Sequence, residues 1–222
     1  VMIINKPADL VVHPGSGNKN GTLVNALLSH NKNLGFLPRA GIVHRLDKDT
    51  TGLMVVSKTE GAYLNLIEQL RERSVKRSYL AIVVGVPVTN KTIDEPIGRH
   101  PKIRTKQAII KNGKEAITRF SVLEALEGYS LLRVNLETGR THQIRVHLSH
   151  IGYPIVGDPI YGNRNKFSSG TDEQLKKIIS SFKRQALHAE ELELIHPSTK
   201  EIISFKTPMP EDMQTLVDQI KL

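Results

Sequence analysis

The stretch His44-Arg45-Leu46-Asp47-Lys48-Asp49-Thr50-Thr51-Gly52 brings an imidazole, a guanidinium, carboxylates and hydroxyls together. Groups of these types move protons, hold charge or attack an electrophile. Asp47 suits a nucleophile or an acid–base group. It equally suits an Asx-turn, or a surface ion pair with Arg45 or Lys48. A second set is Gly139-Arg140-Thr141-His142-Gln143-Ile144-Arg145-Val146-His147-Leu148. On a helix, Thr141, Arg145 and Leu148 share one stripe. Arg145 then lies level with apolar neighbours, where a guanidinium requires a carboxylate or phosphate partner. His142 and His147 are five apart with no glutamate between them. That is not the i, i+4 zinc pattern, so they read as structural or ligand-facing and no metal site is expected. No G-x-G-x-x-G follows a strand, and neither a P-loop nor a G-x-S-x-G elbow is present. No nucleotide or other cofactor is expected.

The elements that must position these groups follow from the apolar pattern. Val1–Asn5, Leu10–His13, Ile42–Val43, Leu53–Ser57, Tyr79–Val84 and Tyr129–Leu136 read as strands. His44–Gly52 is thus a polar loop between two apolar strands, where a rigid sheet can hold functional side chains. Asn112-Gly113 predicts a hairpin between Gln107–Ile110 and Ala116–Val122. His196–Lys200 predicts another, between Leu187–Ile195 and Glu201–Phe205. Thr22–His30, Ala62–Arg73, Thr141–Ile151 and Met209–Leu222 read as helices. In the second of these, Tyr63, Leu64, Ile67 and Leu70 form the expected inward face. Gly15-Ser16-Gly17 reads as a turn, and Asn163–Thr171 as a polar loop. Strands in runs with interspersed helices, and no regular βαβ rhythm, predict an α+β fold with a largely antiparallel sheet.

Composition narrows the partners. The 222 residues carry a formal charge of +9, which favours a polyanion, nucleic acid first. Between Arg71 and Lys111, ten bases face three acids. Such a stretch suits phosphate binding through counterion release. There are no cysteines, which excludes disulfides, thiolate metal sites and a thiol nucleophile. The apolar runs are too short to span a membrane and no signal-peptide pattern opens the chain, so a cytoplasmic protein is expected.

Taken in this order, the two constellations resemble the signatures of the RluA family of pseudouridine synthases. Ile42–Lys58 is similar to the segment around that family's catalytic aspartate, and Leu136–Tyr161 to its second signature. Asn5-Lys6-Pro7-Ala8 with Leu10 and His13-Pro14 resembles its opening motif. Arg77-Ser78-Tyr79 resembles the strand carrying its tyrosine, and Leu187-His188-Ala189 a late short motif. The likeness covers essentially the whole chain. It is nearest to the type-D branch, which acts on a stem-loop of 23S ribosomal RNA; Arg99-His100-Pro101, Gly139–His147 and Glu211-Asp212-Met213 add to it. Two departures stand out. Asp9 takes the place of a usual glycine, and Ser78 that of an acid often found before the tyrosine. The S4-like RNA-binding domain that usually precedes the catalytic domain has no counterpart here, so one catalytic domain, 1–222, is expected.

The resemblance implies isomerisation of uridine to pseudouridine, with Asp47, Tyr79 and Arg145 as catalytic residues. Asp47 matches the catalytic carboxylate. Its attack on C1′, its attack on the base and a glycal intermediate all stay open. Arg145 matches the ion-pair partner of that aspartate, and Tyr79 would lie against the uracil and take the C5 proton. Leu148 would wall the pocket. Arg45 would occupy the stack vacated by a flipped uridine, since guanidinium planes stack well on bases. Arg99, Lys102, Arg104, Lys106 and Arg140 would contact the RNA. The expected partner is RNA, a 23S stem-loop or a pre-ribosomal particle, with no membrane and no obligatory protein partner. Two other classes compete. A non-catalytic RNA-binding module explains the charge, but has no use for a carboxylate at a phosphate-facing loop. A glycoside hydrolase needs a second acid near Asp47, and Asp49 is the local candidate.

Overall fold

The computed structural model describes residues 1–15, 18–162 and 167–221. The expected turn at 15–17 and the loop at 163–171 fall partly outside them, as does the end of the last helix. In chain order the elements are β1 (Met2–Lys6), α1 (Leu23–His30), β2 (Thr51–Val56), α2 (Glu60–Arg71), β3 (Lys76–Val84), β4 (Lys91–Asp94), β5 (Ile97–Arg99) and β6 (Gln107–Ile109). There follow β7 (Ile117–Ala125), β8 (Tyr129–Leu136), α3 (Gln143–His150), α4 (Glu173–Ser181), β9 (Leu187–Ile195), β10 (Ile202–Lys206) and α5 (Glu211–Ile220). Short 3-10 turns occupy Lys32–Phe36 and Pro38–Gly41. The chain divides into two compact units, Val1–Arg77 with Ala189–Thr207, and Ser78–His188 with Pro208–Leu222. No helix among the described residues is long and apolar enough to cross a membrane.

In the first unit β1 pairs antiparallel with β2, Met2 opposite Val56 and Lys6 opposite Gly52. Strands β2 and β10 both pair with β9. The core packs Leu53 and Val55 of β2 on Leu66 of α2 and on Leu192 and Leu194 of β9. Two expectations change here. Leu10–His13 forms no strand. Instead the carbonyls of Val11 and Val12 accept from the N–H groups of Leu23 and Val24, at 2.9 and 3.2 Å. They satisfy donors that the first turn of α1 leaves open, and Thr22 caps the same end. Helix α2 is rotated from the expected face: Leu70 packs on the core as expected, but Leu64 and Ile67 are exposed. Leu66 is 0% exposed and Leu64 is 61% exposed. The buried stripe is Ala62, Leu66 and Gln69, spaced i, i+4, i+7. Gln69 is tolerated in that stripe because its amide bonds both backbone groups of Ile195, at 2.7 and 3.0 Å.

In the second unit β3, β8, β7 and β4 are neighbours in that order, with antiparallel registers. The Asn112-Gly113 turn forms, Gly113 N–H bonding Ile110 O at 2.8 Å, but its flanks do not pair with each other. β6 pairs with β5 as a separate two-stranded sheet, and β7 pairs with β4 and β8. The chain after the turn bridges to β5 instead: Ile97 and Lys114 exchange backbone hydrogen bonds of 2.9 and 2.8 Å. A Cβ at Gly113 would lie 2.7 Å from the Ile97 carbonyl carbon, so the glycine serves close backbone approach more than a two-residue hairpin. The β9–β10 hairpin, α3 and the closing helix α5 stand where the pattern puts them. Helix α4 lies in a stretch with no expected element. The α+β class with largely antiparallel pairing is as expected.

Candidate active site

The loop carrying Asp47 belongs to the first unit and is stitched at its base. Ser57 donates its N–H and Oγ–H to Gly41 O at 2.9 and 3.0 Å. Ile42 bridges Val56; the expected strand at Ile42–Val43 is reduced to that bridge. Val55 N–H donates to His44 Nε2 at 3.0 Å. Gly52 closes the other side with a φ of +109°, where a Cβ would lie 2.2 Å from Ala189 O. Between these points Leu46 and Thr50 are buried, Asp47 is half-buried and Arg45 is exposed. Thr50 N–H turns back onto Asp47 O at 3.1 Å. The carboxylate is therefore presented on a turn held from both flanks.

Lys6 holds that turn from below. It is 1% exposed, and its Nζ donates to Pro7 O, Leu10 O and Lys48 O at 2.7, 3.0 and 2.7 Å. A buried ammonium is tolerable only when its protons are taken. Here one of them fixes the residue next to Asp47. Lys6→Met keeps the apolar stem but strands buried carbonyls, and should cost about 2–4 kcal/mol in urea denaturation. Lys48→Ala should leave the unfolding curve almost unchanged, because its exposed pair with Asp9 (2.7 Å) counts for little. Equal losses in the two variants would contradict the clamp. Asp9 itself has a φ of +61°. A left-handed turn is where a glycine fits best and an aspartate is tolerated.

Desolvation of the His44 imidazole, reinforced by the charge of Arg77, pushes its pKa down to about 3. His44 is neutral near pH 7, as its acceptor role at Nε2 requires. An unfolded histidine takes up its proton near pH 6.5. Between about pH 6.5 and about 3 the unfolded chain binds more protons, so stability falls as pH is lowered across that window. His44→Gln keeps an acceptor for Val55 and should flatten the urea midpoint between pH 7 and 4.5. An unchanged pH slope in that variant would contradict a neutral His44.

The other side chains singled out lie in the second unit. Tyr79 sits on β3 opposite Val134 and is 5% exposed. Arg145 and Leu148 are buried on α3. Arg145 is forked onto Asp158, Nε to Oδ2 at 2.7 Å and Nη2 to Oδ1 at 2.8 Å. Asp158 Oδ1 also accepts from the N–H groups of Ile160 and Tyr161 at 2.8 and 3.0 Å. Burial pushes this carboxyl up, but the Arg145 fork and the two amides outweigh it and hold it below the usual carboxylate range. The guanidinium lies 5.1 Å from the Tyr161 ring centroid, in cation–π contact. Tyr161 OH accepts from Gln107 N–H at 2.8 Å and bonds His142 Nδ1 at 2.7 Å. One aromatic ring thus ties β6, the start of α3 and Arg145 together.

The rest of α3 is fixed by a buried polar chain. Gln143 Nε2 donates to Ile117 O and Thr118 Oγ1, both at 3.0 Å. Thr118 Oγ1 bonds His147 Nδ1 at 2.9 Å, and His147 Nε2 bonds Glu95 O at 2.9 Å. A carbonyl only accepts, so Nε2 carries the proton and the Thr118 hydroxyl donates to Nδ1. Burial lowers the His147 pKa, in keeping with that neutral tautomer. His147 is structural, of the two readings its spacing allowed.

The expected RNA-contacting residues of the second unit divide into two groups. Arg99 ends β5, and Lys102 and Arg104 are exposed on the 100–106 tip of the β5–β6 hairpin. Lys106 is half-buried beside β6. Arg140 is exposed and donates Nε–H to Glu115 O at 2.8 Å. Arg99 and Arg140 line one cleft of about 480 Å³, together with Lys114. Sequence reasoning passed over Lys114, and treated Lys6, Asp158 and Tyr161 only as parts of motifs. For Asp158 the available signal was an acid inside Gly157-Asp158-Pro159, within reach of an arginine expected to need a carboxylate.

A family model described as RNA pseudouridylate synthase matches residues 1–150. Over 221 residues the chain is 52% identical to the ribosomal large subunit pseudouridine synthase D of Xanthomonas campestris, covering 100% of this chain and 67% of that protein. The protein of that name from Pseudomonas aeruginosa is also 52% identical, with coverages of 100% and 69%. The Escherichia coli one is 49% identical, with coverages of 100% and 68%. The chain spans about two thirds of the length of these relatives. Among solved structures, human RNA pseudouridylate synthase domain containing 4 superposes with a TM-score of 0.74 at 26% identity, covering 98% of this chain and 88% of that one. Human RNA pseudouridylate synthase domain containing 1 gives a TM-score of 0.70 at 28% identity, covering 93% and 78%.

Proposed function

The chain belongs to the RNA pseudouridylate synthase family, and from that premise we propose that it isomerises specific uridines of large-subunit ribosomal RNA to pseudouridine. The observation that carries this reading is the likeness of half the residues, over the whole chain, to type-D large-subunit synthases. The held turn around Asp47 supports it, since a chemical carboxylate must be presented in a fixed pose. The reaction breaks the N1–C1′ bond, rotates the uracil and forms a C5–C1′ bond. C5 loses a proton and N1 gains one, so nothing is added or removed overall. The stoichiometry calls for no donor, oxidant or cofactor.

We assign Asp47 as the anion that meets the sugar or the base, and Tyr79 as the group that lies on the uracil and takes the C5 proton. We assign Arg145 to the reaction as a fixed positive charge. Its fork onto Asp158 takes two of five guanidinium N–H groups, which fixes its orientation. Its burial supports a role in an ion pair over a phosphate contact. Leu148 walls the pocket. A uridine in a stem-loop must be flipped out at a cost of a few kcal/mol, and Arg45 fills the vacated stack. Arg99, Lys102, Arg104, Lys106 and Arg140 hold the phosphates. A ribosomal substrate puts the enzyme in the cytoplasm.

The test is a map of pseudouridines, by carbodiimide treatment and primer extension, on 23S ribosomal RNA from cells with and without the gene. Stops that vanish with the gene and return with it are expected. An unchanged map would overturn the ribosomal assignment.

A further inference from the structure

The second unit holds two clefts of opposite character. One, about 410 Å³ and flanked by α4 and α5, is lined by Glu211 and Asp212 and by no cation. The other, about 480 Å³, is lined by Arg99, Lys114 and Arg140 and by no Asp or Glu. Among the described residues no carboxylate pairs with any of these three cations. Their convergence is imposed by backbone. Lys114 is bridged to Ile97, two residues before Arg99, by the paired hydrogen bonds of 2.9 and 2.8 Å. Gly113, in the cleft wall, allows that approach: an added Cβ would meet the Ile97 backbone at 2.7 Å. Arg140 is anchored through Nε on Glu115 O. Thr141 adds a hydroxyl to the lining. Cations gathered without a protein counter-ion repel one another unless an anion joins them.

We infer that this cleft is a binding site for a phosphodiester of the RNA strand, with Arg99, Lys114 and Arg140 converging on it. The inference rests on the functional reading above and deepens it. It separates these three from Lys102 and Arg104, which stand on the hairpin tip outside the cleft and meet other phosphates. Lys114, which no motif marks, becomes a binding residue. Gln107 lines the same cleft and donates to Tyr161 OH, so the strand is held on the wall that carries the ring stacked on Arg145.

The experiment uses the full chain and a uridine-containing stem-loop transcript. The dependence of log K on log salt should fall by about 0.7 to 0.9 for each of Arg99→Ala, Lys114→Ala and Arg140→Ala. Lys114→Arg, which keeps the charge, should restore the wild-type slope, an outcome that a folding defect would not give. Phosphate-ethylation interference should lose the same footprint position in all three variants, and a different one in Lys102→Ala. If the three variants keep the wild-type slope and footprint while wild type isomerises uridine, the cleft assignment is wrong and the functional reading stands. If wild type fails to isomerise, the functional reading falls, and slope and footprint still judge the cleft. Selective competition by inorganic phosphate at fixed ionic strength, with an unchanged RNA footprint, would make it a free-anion site and overturn the assignment.

Discussion

Asp47→Asn is expected to leave the protein folded and RNA-binding while lowering the isomerisation rate by about 10⁴-fold or more, the scale seen when a reacting side chain is removed. Asparagine keeps the shape and the turn but cannot carry the charge. The turn is held by Lys6 on Lys48 O, by Thr50 N–H on Asp47 O and by His44 at its base, and the Asp47 side chain is half-exposed. Unfolding free energies from urea denaturation within about 0.5 kcal/mol of wild type are expected. Turnover near the wild-type rate on a uridine-containing transcript would remove Asp47 from the chemistry.

Asp158 should behave in the opposite way. Asp158→Asn leaves the buried Arg145 guanidinium without its counter-charge, a change worth about 3–5 kcal/mol of stability. The double variant Asp158→Leu with Arg145→Leu should recover much of that loss, since two apolar side chains replace a pair that must otherwise be desolvated. Activity should stay lost in both, because neither holds the Arg145 charge in its fixed pose. The pH dependence carries a sign. The Asp158 carboxyl is held below its ordinary value in the folded chain. Its contribution is therefore fully present above the unfolded value, near pH 3.9, and is lost as pH falls through the folded one. Urea denaturation of wild type and Asp158→Asn between pH 7 and 3 should show the gap between them closing at the acid end. A gap that is under about 0.5 kcal/mol at pH 7, or that widens in acid, would contradict the fork's role.

Local patterns carried much of this arrangement, and long-range choices carried the rest. The polar loop between apolar neighbours, the α3 stripe that buries Arg145, and the β9–β10 hairpin could be read because each depends on residues near in sequence. The inward face of α2 could be read only in part, at Leu70. Leu64 and Ile67 are as apolar as Leu66, and the rotation of the helix is decided by the Leu192–Leu194 strand and by the Gln69 amide on Ile195. The Asn112-Gly113 turn was recognised, yet its flanks pair elsewhere because Lys114 finds Ile97. Asp158 is remote from the charge it serves in a way that spacing alone does not disclose. Arg145 could be seen to need a carboxylate, but the identity of that partner depends on the loop after α3 folding back. Lys114 was one basic residue among many until the cleft gathered it with Arg99 and Arg140.

The central claim is that this chain converts uridine to pseudouridine with no change in composition. The most direct measurement incubates the purified full chain with a large-subunit ribosomal RNA transcript labelled with tritium at uridine C5. Tritium release into water is followed, and the digested nucleosides are then identified by chromatography. One pseudouridine is expected for each tritium released, with neither produced by Asp47→Asn. Intact tritium with tightly bound RNA would contradict it in favour of a binding module, and free uracil in place of pseudouridine would contradict it in favour of hydrolysis.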